Sequence, residues 1–310
     1  MLSYFLAVLA ACANAAASVL QRRASRDLPG EDSLRPRLIL HLLRRPVWFA
    51  GFLCVILGFV LQAAALATGS LSVVQPILVV ELPATLLLAS WVFRTRLHRR
   101  EWLSAVGMTG GLAALLYFLS PAPGNGEEAG WEAWTVGVGV NLLVVGGTVE
   151  WGRRQPPELP GGASRRAAAF GVAAGCQFGL TAAFMKGAMS REEEGLSAVF
   201  AAWQLYAMVA AGILAMFLLQ SALHAGNLLA AQPGLTLSDP LVAILWGSLA
   251  FAEHVRGGWY VVPAVAGGAL IAASALVLAR SPLLKGEVAL REAARVPSAE
   301  QQRAGRPPGR

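Results

Sequence analysis

Charge is what this chain has least of. Only 14% of its 310 residues are Asp, Glu, Lys or Arg, where soluble domains carry roughly 25%. That balance excludes an ordinary soluble domain. Cysteine and histidine are sparse as well, at three and four residues. Cys12, Cys54 and Cys176 fall inside apolar runs, and no two have metal-ligand spacing; they read as small core residues with no disulfide implied. His41, His98, His224 and His254 are scattered at run ends or in loops, with no H-x-x-x-H pair. Without a nucleophile–base or metal-ligand set, neither an enzyme nor a bound cofactor is expected. Lys and Arg are absent from Met1 to Cys12. Leu9-Ala10-Ala11-Cys12 looks like a lipidation box, but a signal peptide needs a positive n-region. The first arginines follow at Arg22, Arg23 and Arg26, so the segment reads as a first membrane span.

What the chain does have is apolar length. Hydrophobic residues make up 56%, in runs near the roughly 20 residues that cross a bilayer. Nine spans are expected: Leu2–Leu20, Val47–Ala67, Ser70–Phe93, Trp102–Leu119, Trp131–Val149, Ala167–Ala188, Leu196–Leu219, Leu228–Ala252 and Trp259–Ala279. Trp48, Trp102, Trp131 and Trp259 fall at span boundaries, as an aromatic belt would place them. The net charge of +7 comes from arginines in short loops and in the tail, so it reads as membrane orientation and nucleic acid is not an expected partner. The basic loops hold Arg22, Arg23, Arg26, Arg35, Arg37, Arg44 and Arg45, then Arg94, Arg96, Arg99 and Arg100, then Arg153, Arg154, Arg165 and Arg166. They alternate with loops carrying Glu127 and Glu128 or Glu192 to Glu194. By the positive-inside rule the N-terminus lies outside and the C-terminus inside. The class expected is an all-α, multi-pass protein of a bacterial cell membrane, its partners the lipid bilayer and a small-molecule or ion substrate, with a homodimer as an open assembly.

Part of the chain is written twice. Gln75-Pro76 recurs as Gln232-Pro233, Pro83 as Pro240, Trp102 as Trp259, and Gly110-Gly111 as Gly267-Gly268, each 157 positions apart (232 minus 75). Spans three and four thus match spans eight and nine, a displacement of five helices. Five is odd, so the second copy crosses in the opposite sense, giving an inverted repeat of four helices plus five. Residues 1–120 form the first half and 121–280 the second, with 281–310 a disordered cytoplasmic tail.

Pro76 and Pro83 are seven apart on one expected helix, as are Pro233 and Pro240, so each pair shares a face. Each proline frees a carbonyl four residues back, and such groups are tolerated at membrane depth where protein or a watery cavity satisfies them. Glu81 and Asp239 lie about midway along their spans. A carboxylate there costs about 2.5–3.5 kcal/mol on insertion scales and marks a pathway or proton relay. Glu81 aligns with Ser238, one position from Asp239, so the symmetry is imperfect. The same two acids offer hard oxygen ligands to Mg²⁺. Gln75, Gln232, Gln177, Asn14 and Gln204 complete the candidate pathway, although polar groups within spans also serve as interhelical bonds. Gly51, Gly58, Gly107, Gly110, Gly111, Gly171, Gly175 and Gly179 fit close helix packing. Glu150, Lys186 and Glu253 sit near span ends, where snorkelling or loop-facing positions account for them.

The ordered set of Gln21-Arg22, Trp48-x-x-Gly51, Gly58, Gln62, Ala65-Leu66 and Gly69-x-Leu71-x-Val73-Val74-Gln75-Pro76, repeated in grammar from Leu219 to Glu253, resembles the drug/metabolite transporter superfamily. Within it the chain looks most like the EamA/NIPA-like branch. The resemblance runs from about Leu2 to Ala279 and implies a secondary transporter with a midplane cavity between two inverted repeats. Proton-coupled export of a drug or metabolite is the activity expected, and magnesium transport the alternative. Relatives often carry an acidic residue where this chain has Arg96, while Glu253 keeps it in the second half. A non-transporting membrane scaffold is the reading from another class.

Overall fold

The computed structural model describes residues 1–25, 46–94, 97–122, 124, 130–156, 159, 161–225 and 228–279. The expected tail lies outside these residues, as do the basic residues from Arg26 to Arg45. Helices come in the order α1 (Leu2–Ser25), α2 (Pro46–Thr68), α3 (Leu71–Leu78), α4 (Glu81–Val92), α5 (Arg99–Leu119), α6 (Trp131–Arg153) and α7 (Gly162–Met189). They continue with α8 (Leu196–Ala201), α9 (Trp203–Ala225), α10 (Leu228–Ala250) and α11 (Val261–Ala279). Among the described residues there is no β-strand beyond an isolated bridge between Ala122 and His254.

Eight spans among the described residues are long and apolar enough to cross a membrane, α3 and α4 counting together as one. The eighth expected span forms as the 23-residue helix α10, but it is not among those eight. It carries Gln232, Thr236, Ser238 and Asp239 between its apolar residues.

The third span is not one continuous helix. It breaks at Val79–Val80, where the bonds tighten to Val79 N–H→Pro76 O (3.2 Å), Val80 N–H→Ile77 O (3.0 Å) and Leu82 N–H→Val79 O (3.2 Å). Pro83 supplies the reason: it has no N–H for the Val79 carbonyl and its ring crowds that carbonyl. Pro76 and Pro83 therefore sit on two half-helices, which corrects their placement on one helical face. Helix α10 keeps Pro233 and Pro240 within one helix. The two stretches nevertheless begin on the same repeat offset, at Leu71 and Leu228, and end at Val92 and Ala250. The seventh expected span also divides, into α8 and α9, at Ala202 with an extended backbone (φ −68°, ψ 125°). Nothing in the local sequence accounts for that break.

Packing follows the small residues. Helix α7 is the most enclosed of the eight spans, and it lies against α6, α9, α10 and α2. Its glycines allow this: a Cβ at Gly175 would stand 2.8 Å from the Leu235 carbonyl, and one at Gly179 2.8 Å from the Asp239 carbonyl. Helix α1 lies on α2 and α4, and α5 on α11. The α5–α11 crossing is reciprocal. A Cβ on Gly111 would meet the Gly267 carbonyl at 2.6 Å, and one on Gly267 the Gly111 carbonyl at 2.7 Å. Gly110 has open space around it, so it takes no part in this contact. The segment after α5 is tied to the α10–α11 connection by Ala122 N–H→His254 O (2.9 Å) and Arg256 N–H→Leu119 O (2.8 Å).

Candidate functional site

The two proline-bearing stretches meet across a small cavity of about 30 Å³ lined by Pro76 and Val79, by Thr236 and Pro240 of α10, and by Leu115 and Ile271 among others. Its lining is apolar apart from Thr236, and neither Glu81 nor Asp239 belongs to it. One proline from each half, Pro76 and Pro240, thus comes to the seam, while Pro83, Pro233 and the acids do not line it. Pro76 and Gln75 are buried on α3, and Pro83 is buried on α4.

Each acid lies against a helix of its own half. Glu81 opens half-helix α4, where the exposed N–H groups of a helix start favour a carboxylate. Its side chain hydrogen-bonds Asn14 of α1, and Asn14 in turn fills the space left by Gly58 of α2. Asp239 lies where α10 presses on α7; a Cβ at Gly175 would be 3.1 Å from its backbone nitrogen. Its Oδ1 is buried and has no hydrogen-bond partner among the described residues. A buried oxygen left in that state costs about 1–3 kcal/mol. No group of three or more His, Cys, Asp or Glu that could hold a metal occurs among the described residues.

The other expected polar residues divide. Asn141 of α6 donates to Gln177 of α7 (3.3 Å, buried), an interhelical bond. Gln232 donates to Thr236 one turn on (3.3 Å), which keeps it on its own helix. Gln204 is buried on α9.

A dense polar constellation among the described residues is built on two residues that position at a span end does not explain. Glu253 is buried, with 4% of its surface exposed. It follows Ala252, whose φ of 49° is a left-handed conformation that costs a non-glycine residue about 1 kcal/mol. That turn, closed by Glu253 N–H→Gly247 O (3.0 Å), swings the carboxylate back into the bundle. There it accepts Leu71 N–H (2.6 Å) at Oε1 and both Ser72 N–H (2.9 Å) and Ser72 Oγ–H at Oε2. A carboxylate 182 residues away in the chain therefore caps α3, whose own Ser70 makes no side-chain cap. Lys186, from the last turn of α7, does the converse for α2. Its Nζ donates to the Gly69 carbonyl (2.6 Å) and the Leu66 carbonyl (3.2 Å), and lies 3.9 Å from Glu253 Oε1. The anion sits at a helix start and the cation at a helix end, each the favourable sense. Both residues come from the second half and clamp the turn between α2 and α3 of the first. Snorkelling and loop-facing positions do not describe them.

Aromatic rings fill the same end of the bundle. Trp134 stacks on Trp246 (5.0 Å) and Phe184 (5.4 Å) and meets Trp203 edge-on (5.5 Å). Phe251 links this cluster to the clamp, 5.9 Å from Trp134 and with Lys186 Nζ 5.3 Å from its ring centre.

Eight apolar spans and a polar constellation buried among them define a multi-pass α-helical membrane protein. It belongs to the same family as an uncharacterized protein of Corynebacterium glutamicum, with which it is 30% identical over 264 residues, 83% of this chain and 88% of that relative. No family model matches the chain, and no solved structure matches it.

Proposed function

We propose that the chain is a secondary transporter that moves a small solute by alternating access between two inverted repeats, coupled to protons and directed to export. The observation that carries this reading is Asp239, whose carboxylate Oδ1 is buried without a hydrogen-bond partner among the described residues, on a helix containing two prolines. A polar atom kept without a partner at that cost is expected where it exchanges partners during a cycle. Glu81 supports the reading from the other half, because it opens a half-helix at a proline break, the kind of interruption on which transporter sites are built. The clamp and aromatic cluster act here as the closed end of the pathway, the end that loop charges place outside. Opening toward that side requires α3 to part from Glu253.

The test is transport in proteoliposomes under an imposed pH gradient, comparing the native chain with Glu81→Gln and Asp239→Asn. Loss of coupled flux in either variant, with folding retained, supports the roles. Undiminished flux and coupling in both would refute them. Flux of Mg²⁺ in the same vesicles, dependent on both acids, would assign a cation as the cargo.

A further inference from the structure

A second cavity, of about 530 Å³, lies at the end of the bundle opposite the clamp, where the last turns of α6 and α9 meet the second and third turns of α7. Its polar lining is basic and donating: Arg153, Arg166, Ser221 and His224. Arg166 lies with its guanidinium carbon 5.7 Å from the centre of the Phe170 ring, which pins the group against the wall. Its Nε is buried with no hydrogen-bond partner among the described residues. The nearby carboxylate, Glu150, is taken by Arg154 (2.9 Å). Neither Arg153 nor Arg166 has a carboxylate partner among the described residues. Two guanidiniums beside one cavity repel each other unless an anion lies between them.

The rest of the lining gives the anion's shape. Val149, Phe217 and Leu218 form an apolar side, and Phe217 is 66% exposed on the outer face of α9, where the bilayer lies. A ligand with a phosphate at one end and hydrocarbon at the other fits this division, the fork of each Arg matching phosphate oxygens. We infer that this cavity is a binding site for a phosphate-bearing anion, filled in the membrane by the headgroup of an acidic phospholipid with its chains running along Phe217. Basic pockets between membrane helices serve such headgroups. The inference stands apart from the proposed transport, since neither Glu81 nor Asp239 borders the cavity.

The test is native mass spectrometry of the purified full chain in detergent. Phosphatidylglycerol and phosphatidylcholine are titrated separately, and inorganic phosphate in a third arm. The native chain is compared with the Arg153→Gln/Arg166→Gln double variant and with Arg154→Gln, which removes a charge from the same end but outside the cavity. Retained phosphatidylglycerol that falls several-fold in the double variant and is unchanged in Arg154→Gln supports a lipid headgroup site. Retained phosphate with the same variant dependence supports the site with a soluble occupant. Equal retention by the native chain and the double variant, or an equal fall in Arg154→Gln, overturns it. An Arg153→Lys/Arg166→Lys variant that keeps the charge and folds normally guards against loss by misfolding, and it is expected to retain part of the bound lipid.

Discussion

Replacing Glu253 with alanine should be among the most damaging single changes away from the apolar core. The substitution removes the acceptor for two backbone N–H groups and one hydroxyl and leaves Lys186 without its carboxylate. Each buried donor left unsatisfied costs about 1–3 kcal/mol, though relaxation and water entry make the sum an overestimate. Breaking a buried ion pair by removing one partner costs about 3–5 kcal/mol, and this is the expected size. At about 2 °C per kcal/mol for a chain of this length, the melting temperature of the purified protein falls by about 6–10 °C. Glu253→Gln keeps the shape and one acceptor oxygen but turns an amide N–H₂ toward a donor, so it should lie between native and alanine. Lys186→Met should lose less in the Glu253→Ala background than alone, with a coupling of about 0.5–3 kcal/mol. Exposed Glu132→Gln serves as the control, expected within about 0.5 kcal/mol of native. A melting temperature for Glu253→Ala within 2 °C of that control, at about 1 kcal/mol, would refute the clamp; additive effects of the Lys186 and Glu253 changes would refute their pairing.

Two further outcomes separate neighbouring residues of the same type or the same packing. Gly111→Ala should destabilise by about 1–3 kcal/mol, because its Cβ would press on the Gly267 carbonyl and overpack the crossing; Gly110→Ala, in open space, should be neutral or slightly stabilising by thermal melt. Trp134→Ala should cost about 3–5 kcal/mol by emptying the centre of the aromatic cluster, whereas Trp259→Ala, at 88% exposure, should cost far less in the same melt.

The apolar runs were legible as helices because membrane length and composition are local properties, read residue by residue. The break at Val79–Val80 was written in the sequence too. Pro83 names it, but a run-based reading passes over a proline inside an apolar stretch. The seam was half legible. One proline from each stretch, Pro76 and Pro240, lines the cavity, while the acids lie instead against α1 and α7, where Asn14 and the α7 glycines decide their surroundings. Glu253 and Lys186 were the least legible. Each sits just past or near a span end, where a charge needs no explanation, and their partners are 182 and 117 residues away. The one local hint is negative: α3 begins at Ser70-Leu71 with no side-chain cap of its own, so its amides need an acceptor from elsewhere.

The α5–α11 crossing carries a consequence for motion. At Gly111 and Gly267 each helix is met by the other's carbonyl oxygen in the space where a side chain would stand. With backbone on backbone, there is no rotamer to flip and no soft side chain to compress. Sliding along either axis would drive Ile271 and Ala114, which flank the contact, into the opposing chain. Rotation about the point of contact disturbs neither. The crossing is therefore built to resist sliding more than turning, so any relative movement of the two helices would have to pivot there.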